Sequence, residues 1–270
     1  ADDMIEDTPL TIAGWSPKNS GARYRGKISL REAFAISSNV AAVRLAEQVG
    51  RKNVIRAARD LGVESPLADD ATLALGSSAT TLMEMTAAYA AIAGNHYPVR
   101  PRGLPDRQES WFDSVWGRQR PFDDKLLAEM KDLLSSVVRR GTGRAAGLTT
   151  DVYGKTGTSQ DNRDAIFIGF AGDLVTGVWV GNDDNTPLSG VAGGGLPARV
   201  WRDFMSAALG VQSQAAARAA EEEADQAAAE NESAIDLGNA SLTIDGGDLG
   251  IGLKIGPDGI NIETKPADPG

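Results

Sequence analysis

The hydrophobic pattern of this chain changes from a helical period to strand-like runs after residue 140, and that change limits the fold more than any other feature. Apolar residues recur at helical spacing in several stretches between residues 30 and 140, and they then form two continuous runs at 165–171 and 174–180. Gly172-Asp173 separates the two runs, which is typical of a β-hairpin. A last helical pattern follows at 197–209. Helices, then antiparallel strands, then a helix favour an α+β fold over alternating βαβ units.

Several helix starts and one buried helix face are predicted locally. Ser29 and Thr81 each precede a glutamate by three residues, which is the pattern of a capping box, and Asp123 is a third candidate cap. The last helix is expected to bury one apolar face. That face comprises Val200, Trp201, Phe204 and Met205.

The tripeptide Ser37-Ser38-Asn39 interrupts the first apolar run. Serine and asparagine compete for backbone hydrogen bonds and favour caps over helix interiors. We therefore expect two helices, 30–36 and 39–49, that meet in a short turn at this tripeptide.

The negative charge of the chain is concentrated at its C-terminal end. The whole sequence has 27 Lys and Arg against 37 Asp and Glu, a formal charge of -10. Residues 211–270 hold 12 acidic and 3 basic side chains, whereas residues 1–210 hold 25 and 24. We predict a nearly neutral body, 1–210, and an acidic low-complexity tail, 211–270. No nucleic-acid partner is expected, because binding to phosphates requires clustered lysines and arginines.

Two interpretations of the tail stay open. Residues 214–230 are rich in Ala and Glu, which suits an exposed helix or a flexible spacer. Residues 235–263 show period-2 apolar pairs that fit a small β-meander. We favour a disordered tail, because little apolar surface is available to offset the entropy of ordering.

Composition restricts the chemistry. Cysteine is absent and His96 is the single histidine, which excludes disulfides and thiolate zinc sites and argues against a Ser-His-Asp triad. We expect neither a metal nor a cofactor. A hydrolytic or acyl-transfer reaction would need another base, and lysine is the obvious candidate.

Two motifs can carry such chemistry. Ser37-Ser38-Asn39 is the only Ser-x-Asn in the chain, and Lys155-Thr156-Gly157 is the only Lys-Thr-Gly. A helix–helix turn can present Ser37 and Asn39 to a cleft, and Gly157 leaves a strand open to close approach by a ligand. The plainer alternative makes Ser37 and Asn39 helix caps and Lys155 a surface residue on an edge strand.

With these motifs the chain resembles the transpeptidase domain of penicillin-binding proteins, in the superfamily of serine acyl-transferases that includes class A β-lactamases. The resemblance covers about residues 8–208 and is to the bifunctional, class A type. It implies an antiparallel sheet flanked by helices, with a helical subdomain. The segments that carry it include Leu30-Arg31-Glu32-Ala33, Ala42-Val43-Arg44-Leu45, Gly141-Thr142-Gly143-Arg144 and Val178-Trp179-Val180-Gly181.

One family motif is missing. The superfamily places a Ser-x-x-Lys before the Ser-x-Asn, and no lysine of this chain has a serine three residues earlier. We expect that the sequence starts after the nucleophile, so that the fold is incomplete at its N-terminus. The alternative is a catalytically dead binding or scaffold module of the same fold.

The resemblance implies roles for the site residues. Ser37 would belong to the proton path, Asn39 would hold a substrate amide, and Lys155 would supply positive charge. The hydroxyls of Thr156 and Thr158 would bind the substrate carboxylate beside Gly157. The Thr158 N–H would form half of an oxyanion hole.

The resemblance also implies a parent protein and a reaction. A peptidoglycan D,D-transpeptidase cross-links stem peptides that end in D-Ala-D-Ala through a serine acyl-enzyme, and β-lactams acylate the same serine. Such a parent has an upstream glycosyltransferase domain and an anchor in the bacterial inner membrane, with the domain on the periplasmic side. A D,D-carboxypeptidase or β-lactamase would transfer the acyl group to water instead, but the class A flanks argue against it.

Overall fold

A computed structural model of the chain describes residues 1–103, 119–234, 242–245, 251–256 and 259–264. The chain divides into two compact units, Ala1–Ala215 and Ala216–Gly270. Helices and small antiparallel sheets make up the described residues, and the predicted α+β class is confirmed.

The first unit begins with a two-stranded antiparallel ribbon and continues with helices. The helices predicted on either side of Ser37-Ser38-Asn39 are both present, with the turn between them. The elements are β1 (Met4–Asp7), β2 (Gly26–Ser29), α1 (Leu30–Ala35), α2 (Asn39–Val49), α3 (Arg51–Asp60), α4 (Leu82–Gly94) and α5 (Asp124–Arg140).

The predicted caps form as local hydrogen bonds. The hydroxyl of Ser29 accepts from the Glu32 N–H at 3.1 Å, and the Asp123 carboxylate accepts from the Leu126 N–H at 3.1 Å. Thr81 forms the complete capping box with Glu84. Hydrogen bonds from the Ser65 hydroxyl and three backbone N–H groups lower the pKa of Glu84 to about 2.

A three-stranded antiparallel sheet forms the centre of the first unit. Its strands are β3 (Tyr153–Thr158), β4 (Asp164–Ala171) and β5 (Leu174–Gly181), in the order β3-β4-β5. The hairpin between β4 and β5 turns at Gly172, whose φ of 54° suits glycine. Lys155 lies opposite Ile168 in the register, and Gly157 lies opposite Ile166.

Helices cover both faces of the sheet. Helix α6 (Leu196–Leu209) packs Trp201 and Met205, both fully buried, against Phe167. Ile92 of α4 and Leu134 of α5 pack with Phe170 on the other face. The predicted buried face of α6 is wrong in part, because Val200 and Phe204 are 43% and 55% exposed. The predicted apolar stripe is wider than the part of the helix that meets the sheet.

The second unit contains most of a long helix and a small sheet. Helix α7 (Gln214–Ala234) occupies the Ala- and Glu-rich stretch. Three antiparallel strands follow, β6 (Leu242–Asp245), β7 (Ile251–Gly256) and β8 (Gly259–Thr264), in that order. These strands lie almost entirely within residues 235–263, where the period-2 apolar pairs suggested a small β-meander.

Candidate active site

The turn between α1 and α2 presents Ser37. Its φ is 55°, a left-handed conformation that costs a residue with a side chain about 1 kcal/mol. The turn is held by hydrogen bonds from the Ser37 N–H to the Phe34 carbonyl (3.1 Å) and from the Ser38 N–H to the Ala33 carbonyl (2.9 Å). Ser38 is buried and caps α2 by accepting from the Ala41 N–H. Ser37 itself is exposed.

Lys155 reaches Ser37 from the middle of β3. Its Nζ donates to Ser37 Oγ at 2.7 Å and to the Thr156 carbonyl at 3.1 Å. The same ammonium lies 5.7 Å from the centroid of the Phe34 ring, within the range of a cation–π contact. Burial lowers the pKa of Lys155 to about 8. The two sequence motifs therefore meet in one site, with a lysine that can exchange a proton near neutral pH.

Asn39 lies on the same turn but has a different contact. It is the first residue of α2, and its side-chain amide donates to the Lys18 carbonyl at 2.8 Å. That bond ties the turn to the loop that precedes β2. The substrate-amide role implied for Asn39 stays a prediction, since its N–H₂ group is engaged with the protein itself.

The threonines of β3 are held by two segments that the motifs did not indicate. Thr156 Oγ1 lies 2.6 Å from Thr142 Oγ1, and the Thr142 N–H donates to the Ala35 carbonyl. Thr158 Oγ1 accepts from the Gly193 N–H at 3.0 Å. A threonine after α5 and a glycine before α6 thus complete the surroundings of Lys-Thr-Gly-Thr.

Glycine is required where these segments meet. A Cβ on Gly193 would overlap the carbonyl oxygens of Gly157 and Ile166, and a Cβ on Gly194 would overlap that of Thr142. By contrast, a Cβ on Gly157 would meet only the Ile166 side chain, at an ordinary 3.6 Å. Packing therefore does not require glycine at 157. The density of glycines in 193–195 was the signal in the sequence for a close approach of this kind.

Among the residues that the structure describes, no cluster of three His, Asp or Glu side chains is arranged to hold a metal ion. The same described part of the chain contains no helix that is both long enough and apolar enough to cross a membrane.

The first 206 residues match the family model for the penicillin-binding protein transpeptidase domain. Penicillin-binding protein 1A of Neisseria meningitidis serogroup A is 34% identical over 229 residues, which covers 77% of this chain and 29% of that protein. Penicillin-binding protein 1A of Aquifex aeolicus is 34% identical over 202 residues, covering 71% of this chain and 27% of that protein. The chain thus spans less than a third of the length of these curated relatives.

Solved structures show the same fold. Penicillin-binding protein 1A from Haemophilus influenzae has a TM-score of 0.61 at 25% identity, over 77% of this chain and 39% of that one. PonA1 from Mycobacterium tuberculosis in complex with penicillin V has a TM-score of 0.65 at 24% identity, over 77% and 63%. The family match over most of the chain and the identity to the 1A proteins show that the chain belongs to the penicillin-binding protein transpeptidase domains of class A.

Proposed function

We propose that this chain is part of a peptidoglycan D,D-transpeptidase, which joins stem peptides ending in D-Ala-D-Ala through a serine acyl-enzyme and is acylated by β-lactams. The observation that carries the proposal is the hydrogen bond from Lys155 Nζ to Ser37 Oγ. It joins two motifs that are far apart in the chain into a proton-transfer pair at the surface of the domain.

The pair has a direct use in acyl transfer. A pKa of about 8 leaves Lys155 mostly protonated at neutral pH. Because its Nζ donates to Ser37 Oγ, the serine can give its own proton to the leaving amine and take one from the lysine. The C–N bond then breaks as the amine becomes neutral, and Lys155 is left deprotonated at little cost.

The threonines supply the anion-binding part of the site. The positive charge of Lys155 attracts the substrate carboxylate, and the hydroxyls of Thr156 and Thr158 can donate to it. The Thr158 N–H would form half of an oxyanion hole, where one donor is worth roughly 3 kcal/mol in the transition state. Asn39 would hold the substrate amide after release of its bond to Lys18.

The nucleophile in this proposal comes from a Ser-x-x-Lys segment that is not in the sequence. The parent protein would then also carry the glycosyltransferase domain and the membrane anchor, with this domain on the periplasmic side. We propose residues 1–210 as transpeptidase and 211–270 as a separate acidic tail, which agrees with the division of the chain after Ala215. The isolated chain is expected to be inactive.

Covalent labelling with fluorescent penicillin tests the proposal in the parent protein. We expect the parent to be labelled, this chain alone not to be labelled, and Lys155→Ala to slow labelling of the parent by about a hundredfold or more. Lys125→Ala is the matched control, since Lys125 is an exposed lysine on α5.

Two other outcomes would each favour a different function. A folded parent that binds no label would indicate the dead binding or scaffold module. A parent that is labelled but releases D-Ala from stem peptides without forming cross-links would be a carboxypeptidase, and one that hydrolyses penicillin rapidly would be a β-lactamase.

A further inference from the structure

The carboxylate of Asp7 is fully buried beneath the Ser37 turn. Its Oδ1 accepts from Ser38 Oγ at 2.7 Å and from Asn19 Nδ2 at 2.6 Å, and its Oδ2 accepts from the Arg25 N–H at 2.9 Å. Burial alone raises the pKa of Asp7, but the hydrogen bonds from Ser38, Asn19 and Arg25 outweigh it, so the pKa is lowered. Asp7 is therefore an ionised group that is held by donors on every side.

The partners of Asp7 join three segments of the chain. Ser38 Oγ gives its hydrogen to Asp7 and at the same time accepts from the Ala41 N–H at the start of α2. Asn19 Oδ1 accepts from the Val40 N–H at 3.1 Å, while its amide nitrogen bonds Asp7. The end of β1, the loop before β2 and the first turn of α2 meet at this one carboxylate.

Ser37 depends on this arrangement, because it is the residue immediately before Ser38 and its backbone is in the unfavourable left-handed region. We infer that Asp7 is a positioning residue for Ser37: by holding Ser38, it fixes the turn that places Ser37 Oγ 2.7 Å from Lys155 Nζ. Asp7 is buried and acts through Ser38, with Asn19 as a second link to the first turn of α2. The inference deepens the proposed function, on which it rests.

The hydrogen bonds around Asp7 require a carboxylate rather than an amide. Ser38, Asn19 and the Arg25 backbone all present hydrogens to Asp7. An asparagine at position 7 would turn its own N–H₂ group toward one of those donors, and a buried donor would be left without an acceptor. Asp7→Asn keeps the size of the side chain but removes its charge and its ability to accept on both sides.

Three variants of the parent protein test the inference. Asp7→Asn puts a donor in place of one carboxylate oxygen, and Ser38→Ala removes the hydroxyl that links Asp7 to the turn. Thr81→Ala is the matched control, because Thr81 also caps a helix through its hydroxyl but lies at the start of α4. Each variant is measured for thermal unfolding, for the pH dependence of Lys155 acetylation by mass spectrometry, and for the rate of acylation by penicillin.

We expect the acetylation profile of Lys155 to move from about 8 toward its ordinary value of 10.5 in Asp7→Asn and Ser38→Ala, because burial is what lowers that pKa and an open turn admits water. Acylation should slow by about ten- to a hundredfold, as expected for a displacement of order 1 Å. Thr81→Ala should change neither measurement, whatever it does to stability.

The inference is overturned if both turn variants lose stability but keep the Lys155 profile and the acylation rate of the unaltered protein. If Asp7→Asn does not fold, Ser38→Ala decides, since it leaves the bonds to Asn19 and Arg25 in place. If the unaltered parent is not acylated at all, the proposed function fails, and the acetylation profile still decides the role of Asp7.

Discussion

Lys155 Nζ donates to Ser37 Oγ at 2.7 Å, although the two residues are 118 positions apart in the chain. The lysine is placed where burial lowers its pKa to about 8, and among the described residues no carboxylate pairs with it. An ammonium that is desolvated without a counter-charge opposes folding. The burial of Lys155 therefore costs stability, as is usual for a group that is kept for chemistry of the kind proposed for this site.

Replacement of Lys155 should make the protein more stable and less active. We expect Lys155→Met to raise the free energy of unfolding by roughly 1–2 kcal/mol at pH 7, allowing for solvent screening of a half-buried group. The folded-state pKa lies below the unfolded one, so the penalty is complete below about pH 8 and disappears by about pH 10.5. Urea unfolding at pH 7 and at pH 10 measures the difference.

Lys125→Met is the control for this prediction, since it removes an exposed lysine from α5. A gain of equal size in Lys125→Met, or a gain in Lys155→Met that does not shrink at high pH, would show that the burial of Lys155 is not the cause.

Removal of the contact between Thr142 and Thr156 should weaken the binding of penicillin without unfolding the protein. Thr142→Val keeps the shape of the side chain but removes the hydroxyl that lies 2.6 Å from Thr156 Oγ1. One lost hydrogen bond of this kind is worth about 0.5–1.5 kcal/mol, so penicillin should bind about two- to tenfold more weakly before acylation. Stopped-flow measurement of the binding and acylation steps separates this effect from a change in the chemical step.

Thr149→Val is a suitable comparison, because Thr149 is exposed and its hydroxyl donates to the Gln212 carbonyl outside the site. Equal weakening in both variants would remove the argument that Thr142 positions Thr156 in the proposed carboxylate site.

The glycine segment before α6 should tolerate no side chain at Gly193. A Cβ there overlaps two backbone carbonyls, which cannot turn aside as a side chain can, so we expect Gly193→Ala to cost about 1–3 kcal/mol. It should also slow acylation, since the Gly193 N–H holds Thr158. Gly94→Ala, at the end of α4 with open space around it, should be neutral or slightly stabilising. Thermal unfolding and penicillin labelling of the two variants provide the comparison.

Features that depend on neighbours in the sequence were predictable. The caps at Ser29, Thr81 and Asp123 formed because a cap needs only one side chain and the next three residues. The split at Ser37-Ser38-Asn39 and the hairpin at Gly172 are local in the same way. The proximity of Ser37 and Lys155 was expected only from the family resemblance, since nothing in their spacing along the chain requires it.

The remaining features depend on contacts between distant segments. The close approach of Gly193 to the sheet and the contact between Thr142 and Thr156 both involve loops. One loop follows α5 and the other precedes α6, and both converge on β3. The period of an apolar pattern cannot show this. Asp7 was not identified either, because an isolated aspartate near the start of a sequence has no pattern of its own. The role proposed for it depends on the convergence of Ser38 and Asn19 on its carboxylate, which the sequence does not show.

The two sides of α6 should contribute very differently to stability, because only one of them is buried against the sheet. Trp201 is fully buried and donates to the Thr176 carbonyl at 3.0 Å, whereas Phe204 is 55% exposed. We expect Trp201→Ala to cost about 3–5 kcal/mol, the usual loss for a buried aromatic side chain, and Phe204→Ala to cost less than about 1 kcal/mol. Thermal unfolding of both variants in the parent protein compares the two losses of stability. A cost of 2 kcal/mol or more for Phe204→Ala would mean that another element of the parent covers this face. Exposed apolar patches on a protein surface often mark such interaction sites.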